Sequence, residues 1–212
     1  MRLTTAVFCC SLFLLSCSNG SDETNQTPVA AETKDSTPPN RPDRPSPNPY
    51  TGVDVSPMDM AYYPIDYPKL KMAHTLTNPP LARVIYSRPH LQGRHIFHEV
   101  LKYDEPWRLG ANEATELDLY KDVMIQDKKI KAGRYTLYCI PHQDNWTIAI
   151  NSNIDTWGLE PDSTKDVARF VVPVVKTQNS LEYFTMIFEK KEAEALLLMA
   201  WDDVEVRLPF RF

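Results

Sequence analysis

Short runs of alternating polar and apolar residues fill most of the chain after residue 82, and they restrict the fold more than any other feature. Thr115–Tyr120 alternates polar and apolar residues, and Trp146–Ile150 follows the polar turn Gln143–Asn145. Alternation with a period of two places every second side chain on the same face of a strand. Many short strands between turns are typical of antiparallel domains. The predicted strands are 83–87, 115–120, 123–125, 128–130, 134–140, 146–150, 169–175, 182–188, 195–201 and 204–210.

This pattern predicts an all-β fold, either an antiparallel β-sandwich or a jelly-roll-like barrel, with at most a short helical turn. The turn is expected at Ile96–Leu101, because Ile96-Phe97 and Val100-Leu101 recur four residues apart. Residues 193–200 are rich in Glu, Ala, Leu and Met, which favour a helix. We nevertheless predict a strand there, because the neighbouring strands need a pairing partner.

The segment before the strands has a different composition. Residues 18–49 contain no aromatic residue and no Leu, Ile or Met, but seven prolines. Such a segment cannot bury enough apolar surface to offset its ordering entropy, so we expect disorder. We divide the chain into a signal peptide at 1–16, a lipidated cysteine with a proline-rich tether at 17–55, and one β-rich domain at 56–212.

The first residues have the pattern of a bacterial export signal. Arg2 precedes the apolar run Ala6–Leu15, which has the length of a signal-peptide core and is too short to span a bilayer. The run ends in Leu14-Leu15-Ser16-Cys17, which matches the lipobox pattern. We therefore predict that Cys17 carries the lipid and anchors the protein in a membrane. Residue 19 is Asn rather than Asp, so we expect the outer membrane, on its periplasmic or its surface-exposed face.

Charge and cysteine content exclude some classes of protein. A net charge of −5 argues against nucleic-acid binding, which normally requires a basic excess. Cys139 alone would remain in the domain, and its alternating surroundings predict a small buried side chain. The sequence contains no P-loop, GxGxxG or GxSxG motif, and we predict no cofactor and no catalytic residue.

The best candidate site is a set of polar and aromatic residues, most of them between two predicted strands. Guanidinium groups offer forked donors to carboxylate, phosphate or sulfate, and a Trp face stacks on a sugar ring or a cation. The same residues also suit a buried clamp, in which arginines pair with Glu113 and Asn112 caps a turn. The candidate ligand-binding residues are Arg88, Arg94, Trp107, Arg108, Asn112, Glu113 and Asn151.

Two other sets of residues have a structural interpretation that we prefer. His90, His95 and His98 lie close in sequence, with Glu99 beside them, but they lack a zinc signature such as HExxH, so we expect surface histidines and no metal site. Trp146 and Trp201 lie in predicted strands, where core packing is the better interpretation.

A family resemblance rests on Tyr86-Ser87-Arg88-Pro89, Gly93-Arg94, Trp107-Arg108, Gly110–Thr115, Lys121-Asp122-Val123, Ala132-Gly133, Ile140-Pro141, Trp146-Thr147, Asn151 and Trp157-Gly158. Residues 72–209 resemble the domain of unknown function 2911, whose members look like exported bacterial proteins, often lipoproteins. The family commonly has Gly at the positions of His98 and His142, which argues against a chemistry of these histidines that the family shares. The resemblance implies fold and location, but no reaction or ligand.

Three hypotheses about function follow. The first is a non-catalytic cell-envelope module that binds a polar or saccharide-like ligand or another envelope protein. The second is a structural envelope component in which the same polar residues are buried and mutually satisfied. The third is a hydrolase, which needs a cleft with Glu113 or a histidine near a second titratable group. The sequence leaves the oligomeric state open.

Overall fold

A computed structural model describes residues 54–212 of the protein. The predicted signal peptide, Cys17 and the tether up to residue 53 lie outside the described residues. Strands dominate the part that is described. Its elements are β1 Met58–Tyr63, α1 Tyr67–Met72, β2 Ala82–Ser87, β3 Thr115–Leu119, β4 Val123–Ile125, β5 Lys128–Ile130, β6 Gly133–Pro141, β7 Asn145–Asn151, a 3-10 turn Ser163–Lys165, β8 Asp166–Pro173, β9 Val175–Lys191 and β10 Glu194–Arg211.

The strands form two antiparallel sheets. The first has six strands in the order β1-β2-β3-β6-β7-β8, and the second has four in the order β5-β4-β10-β9. Because the strands divide into two separately hydrogen-bonded sheets, the fold is the β-sandwich rather than the barrel. The predicted all-β class is therefore confirmed.

Alternation along the strands builds the core between the sheets. In β8, for example, Ala168, Phe170 and Val172 are buried while Val167 and Val171 are exposed. The inner faces meet through aromatic contacts, such as that between the rings of Tyr86 and Phe184, whose centroids lie 5.7 Å apart. The predictions that Cys139, Trp146 and Trp201 are buried are confirmed.

β10 is one continuous strand, where the sequence predicted two. It passes through Asp202, at which its pairing with β9 shifts register on both sides. Asp202 has a φ of 51°, in the left-handed region that few residues other than Gly adopt. The bulge bends the strand and lets its two halves continue in the same sheet.

The structure corrects the predicted helical turn at Ile96–Leu101. The backbone N–H of Leu101 does donate to the carbonyl of Ile96, at 2.7 Å. The interior is not helical, however, since Phe97 is extended and His98 has a φ of 80°. The apolar spacing therefore reflects a wide turn in which Ile96 and Phe97 are buried.

β1 and α1 were not predicted from the sequence. β1 is an edge strand, and much of its surface is exposed, including Met58 and Met60, so it lacks a clear apolar alternation. α1 buries none of its residues and is only one and a half turns long. In residues 54–212, no helix has both the length and the apolar character that crossing a membrane requires.

Candidate functional site

The loop between β2 and β3 carries most of the predicted site residues, and Trp107 holds it in place. The backbone N–H of Trp107 donates to the carbonyl of Cys139 at 2.7 Å, and the carbonyl of Trp107 accepts from the N–H of Cys139 at 2.8 Å. The indole Nε1 donates to the carbonyl of Gly110 at 3.0 Å. The hydroxyl of Thr115, at the start of β3, donates to the carbonyl of Leu109 at 2.7 Å. These buried hydrogen bonds fix the turn that precedes β3.

A groove of about 270 Å³ opens beside this loop. Trp107, 8% exposed, and the fully buried Trp201 lie at its base. This volume lies just below the lower end of the range for small-molecule sites, so it suits one small group or the end of a longer ligand. The groove is lined by Pro89, Val100, Leu101, Pro106, Trp107, Arg108, Gly110, Ala111, Gly158, Leu159 and Trp201.

Of the residues that the structure describes, Arg108 is the only charged one that lines the groove. Its guanidinium lies over the ring of Trp157, with Cζ 5.5 Å from the ring centroid. One Nη donates to the carbonyl of Trp157 at 3.3 Å. Among residues 54–212, no carboxylate lies within 4.0 Å of the Arg108 guanidinium. Burial lowers the pKa of Arg108, which nevertheless keeps its charge at neutral pH.

The segment after β7 forms the other wall of the groove. Trp157 and Leu159 are exposed by 56% and 66%, an unusual exposure for large apolar side chains. Gly158 between them has a φ of 79°, and a Cβ at this position would lie 2.8 Å from the Cβ of Ala114. Only glycine fits here without strain, so the close contact between this segment and Ala114 sets the position of the wall.

Two of the predicted arginines lie away from the groove. Arg88 donates to the carboxylate of Asp59 at 3.2 Å, to the carbonyl of Phe184 at 3.2 Å and to the hydroxyl of Thr185 at 3.1 Å. It therefore ties β1 to β9. Arg94 donates to the carbonyls of two residues in its own loop, Leu91 and His90, at 2.8 and 3.1 Å.

Asn112 and Glu113 are neighbouring members of the predicted site, but the structure gives them different surroundings. Asn112 donates to the carboxylate of Asp54 at 2.6 Å and to the carbonyl of Ser56 at 3.3 Å, so it holds the first described residues against the domain. Glu113 is exposed and forms no hydrogen bond or ion pair with another residue of the described part. The predicted pairing of arginines with Glu113 is therefore not found.

Asn151 is buried, and both its side-chain amide and its Oδ1 form hydrogen bonds. Its amide donates to the carbonyl of Asp162 at 2.8 Å and to the carboxylate of Asp166 at 2.7 Å. Its Oδ1 accepts from the backbone N–H of Asn153 at 2.7 Å. Asn151 and Arg108 both line a cavity of about 10 Å³, room for one water at most. Asn151 thus organises the segment behind Arg108.

A second cleft, of about 360 Å³, lies at the bulge of β10. The carboxylate of Asp202 accepts from the hydroxyl of Ser180 at 2.7 Å and from the N–H of Ile96 at 3.3 Å. His95 Nδ1 lies 3.6 Å from the same carboxylate. Burial alone would raise the pKa of Asp202, but the hydrogen bonds from Ser180 and Ile96, together with the nearby imidazole of His95, outweigh it and lower the pKa. His98, Tyr103, Lys176 and Asp203 also line this cleft.

His142 is a second histidine whose ring contacts an aspartate carboxylate. Its Nδ1 is hydrogen-bonded to the carboxylate of Asp104, and its Nε2 lies 3.5 Å from the hydroxyl of Thr147. Residues 54–212 contain no group of three or more His, Cys, Asp or Glu side chains placed to hold a metal ion.

The fold and the groove define a β-sandwich protein with an aromatic-based groove at the loop before β3. Residues 68–210 match the family model described as "Protein of unknown function (DUF2911)", and the chain belongs to this family. The resemblance seen in the sequence is thus confirmed. No curated protein and no solved structure matches the chain.

Of the predicted site residues, the structure brings Trp107 and Arg108 to the groove and places the other five elsewhere. Sequence reasoning missed Leu159, which lines the groove, and Trp157, which contacts Arg108. The available signal was a large aromatic next to glycine in a polar stretch between predicted strands. The cleft at Asp202 had no such signal, because a bulge inside a strand leaves little trace in an alternating sequence.

Proposed function

We propose that the protein is a lipid-anchored cell-envelope module that binds a polar, saccharide-like ligand in the groove without chemical turnover. The observation that carries the proposal is the groove itself, in which Arg108 stands at one wall above two buried tryptophans. Saccharide sites combine an aromatic surface for the apolar face of a sugar ring with polar groups for its hydroxyls. The exposed Trp157 next to Arg108 adds a second aromatic surface.

A variant that fills the groove tests this binding function. Ala111 lines the groove and Ala132 is exposed outside it, so Ala111→Phe and Ala132→Phe form a matched pair. A thermal-shift screen of the full-length protein in detergent against mono- and oligosaccharides is the measurement. We expect at least one saccharide to raise the melting temperature of the wild type and Ala132→Phe, because a ligand of the folded state stabilises it by mass action. No shift with any saccharide, or an equal shift for Ala111→Phe, would count against the groove.

The anchor and the location are part of the same proposal, and they are supported by the lipobox at Cys17. Labelled palmitate and membrane fractionation in a Gram-negative host test them. We expect the wild type to incorporate the label and to sediment with the outer membrane, Cys17→Ser to do neither, and Cys10→Ser to behave as the wild type. Protease treatment of intact cells then separates a surface-exposed from a periplasmic domain. Equal labelling of Cys17→Ser would exclude lipidation at this residue.

A hydrolase is the second candidate, and the cleft at Asp202 favours it. His95 lies within reach of a second titratable group there, which is the arrangement that a general acid or base requires. Chromogenic esters, glycosides and phosphoesters are the test substrates. If the cleft is catalytic, His95→Gln abolishes turnover while His74→Gln, an exposed histidine outside the cleft, does not. Absence of turnover by the wild type favours the binding module.

A structural envelope component is the remaining alternative. Arg88 and Asn151 support it, because their side chains join separate segments of the domain. Arg108 does not fit it, because its guanidinium lies beside the groove without a carboxylate partner in the described part of the chain.

A further inference from the structure

Arg108 differs from most arginines of residues 54–212 in how its charge is compensated. Arg94 also lacks a carboxylate partner there, but it is exposed, whereas Arg108 is half-buried. Arg83, Arg134 and Arg169 each pair with a carboxylate at 2.6 Å or less. Arg108 donates only to a backbone carbonyl and lies against an indole ring. Asp162 and Arg108 both line the cavity of about 10 Å³ described above, but the Asp162 carboxylate accepts a hydrogen bond from the backbone N–H of Thr164 instead. A half-buried guanidinium without an anion is an unfavourable arrangement, which a bound anion would relieve.

We propose that the ligand of the groove is an acidic saccharide, whose carboxylate, sulfate or phosphate group binds the guanidinium of Arg108. This inference rests on the proposed binding function and specifies its ligand class. A guanidinium has five N–H donors, and the described residues occupy one of them. The free donors can form a forked pair with a planar or tetrahedral anion.

Trp157 is the positioning residue for this contact. Its ring lies against the guanidinium, and its carbonyl accepts one Nη hydrogen bond, so the side chain of Arg108 is held in one orientation before the ligand arrives. Such a preformed arrangement lowers the entropy cost of binding. Gly158, fixed against Ala114, keeps the indole beside Arg108.

The small groove also limits the size of the bound group. A volume of about 270 Å³ accommodates a single ring rather than a long segment of a polymer. The groove is otherwise apolar at its base, with Trp107, Trp201 and Leu101, and the part of the chain that the structure describes contributes no second charged residue to it. One ring with one anionic substituent matches this arrangement.

Pairs of sugars that differ at C6, where one member carries an anionic group and the other a neutral hydroxymethyl group, test the inference. Binding of glucuronate and glucose, galacturonate and galactose, and galactose 6-sulfate is measured by titration calorimetry with the full-length protein in detergent. Sodium sulfate and sodium phosphate alone are included to separate recognition of the sugar from recognition of a free anion. The variants are Arg108→Gln, Arg108→Lys and the control Arg94→Gln, since Arg94 also donates only to backbone carbonyls but lies outside the groove.

We expect at least one acidic sugar to bind the wild type and Arg94→Gln at least tenfold more tightly than its neutral partner and than the free anions. Arg108→Gln loses this preference, so that the acidic sugar binds no more tightly than its neutral partner, and Arg108→Lys is intermediate because it keeps the charge without the fork. Rising salt weakens the binding of the acidic sugar but not that of the neutral sugar.

If acidic and neutral sugars bind the wild type equally, or Arg108→Gln keeps the preference, the inference about the ligand class is wrong and the proposed binding function stands. If no sugar binds, both fail. Should Arg108→Gln not fold, the wild-type pairs and Arg108→Lys still decide.

Discussion

Trp107 and Cys139 exchange both of their backbone hydrogen bonds, at 2.7 and 2.8 Å. β3 pairs with β6 only as far as Leu137, so Trp107 occupies the place beside β6 that β3 leaves open. The loop before β3 is thereby attached to the central sheet, and the indole of Trp107 reaches the core. The base of the groove is consequently part of the hydrophobic core of the sandwich.

Replacing Trp107 should therefore cost stability as well as ligand binding. Its ring centroid lies 4.8 Å from that of Phe184, 5.7 Å from that of Trp201 and 5.9 Å from that of Trp146. We expect Trp107→Ala to lower the free energy of unfolding by about 3–5 kcal/mol, because it leaves a cavity and removes the indole hydrogen bond. The measurement is urea unfolding of the full-length protein.

Trp157→Ala is the matched control for this prediction. Trp157 is exposed, so its removal should change the free energy of unfolding by no more than about 0.5 kcal/mol. A similar loss in the two variants would show that Trp157 is part of the core and would remove the distinction between base and wall of the groove.

Most of the strands were predictable because one of their faces lies in the core, whereas the largely exposed edge strand β1 was missed. β4 and β5 were predicted to the residue, and β2, β3 and β7 within one residue at each end. The groove was not predictable, because it depends on contacts between distant segments, such as Arg108 with Trp157. The sequence placed Arg88 and Arg108 in one site, whereas the fold turns Arg88 towards β1 and β9.

Gly158→Ala should destabilise the wall of the groove. Gly93 has nearly the same φ, 76° against 79°, but nothing lies within 4 Å of a Cβ built there. We expect Gly93→Ala to cost about 1 kcal/mol from backbone strain alone. Gly158→Ala should cost at least about 2 kcal/mol, because it adds a collision with Ala114. Thermal or urea unfolding of both variants gives the comparison. Equal losses would mean that the contact with Ala114 does not constrain this segment.

Asp202→Asn tests the bulge of β10. The lowered pKa of Asp202 means that its carboxylate stabilises the fold above the unfolded pKa, and this contribution disappears as the pH falls through the lower folded pKa. We expect the variant to be about 1–3 kcal/mol less stable at pH 7, from weakened hydrogen bonds to Ser180 and Ile96. The difference from the wild type should shrink below about pH 4.

The neighbouring residue provides the control for Asp202. Asp203 is exposed and pairs with Lys176 at 2.9 Å, so Asp203→Asn should change the stability by less than about 1 kcal/mol. Since Asn adopts a positive φ as readily as Asp, Asp202→Asn leaves the backbone of the bulge unstrained. A difference from the wild type that stays constant between pH 7 and pH 3 would show that the charge of Asp202 is not what stabilises the bulge.

Tyr86 should make the stability of the domain fall at alkaline pH. Burial raises the pKa of Tyr86 to about 12, and it does the same for Tyr138. A phenol with a raised pKa contributes stability below its unfolded pKa of about 10, and this contribution is lost as the pH rises towards 12. The free energy of unfolding should therefore fall by about 2 kcal/mol less in Tyr86→Phe than in the wild type as the pH rises to 12. At pH 7 the substitution should cost about 1 kcal/mol, through the lost hydrogen bond to the carbonyl of Met186. Urea unfolding between pH 8 and pH 12 measures both effects, with Tyr138→Phe separating the second phenol. An unchanged alkaline decline in both variants would assign it to other groups.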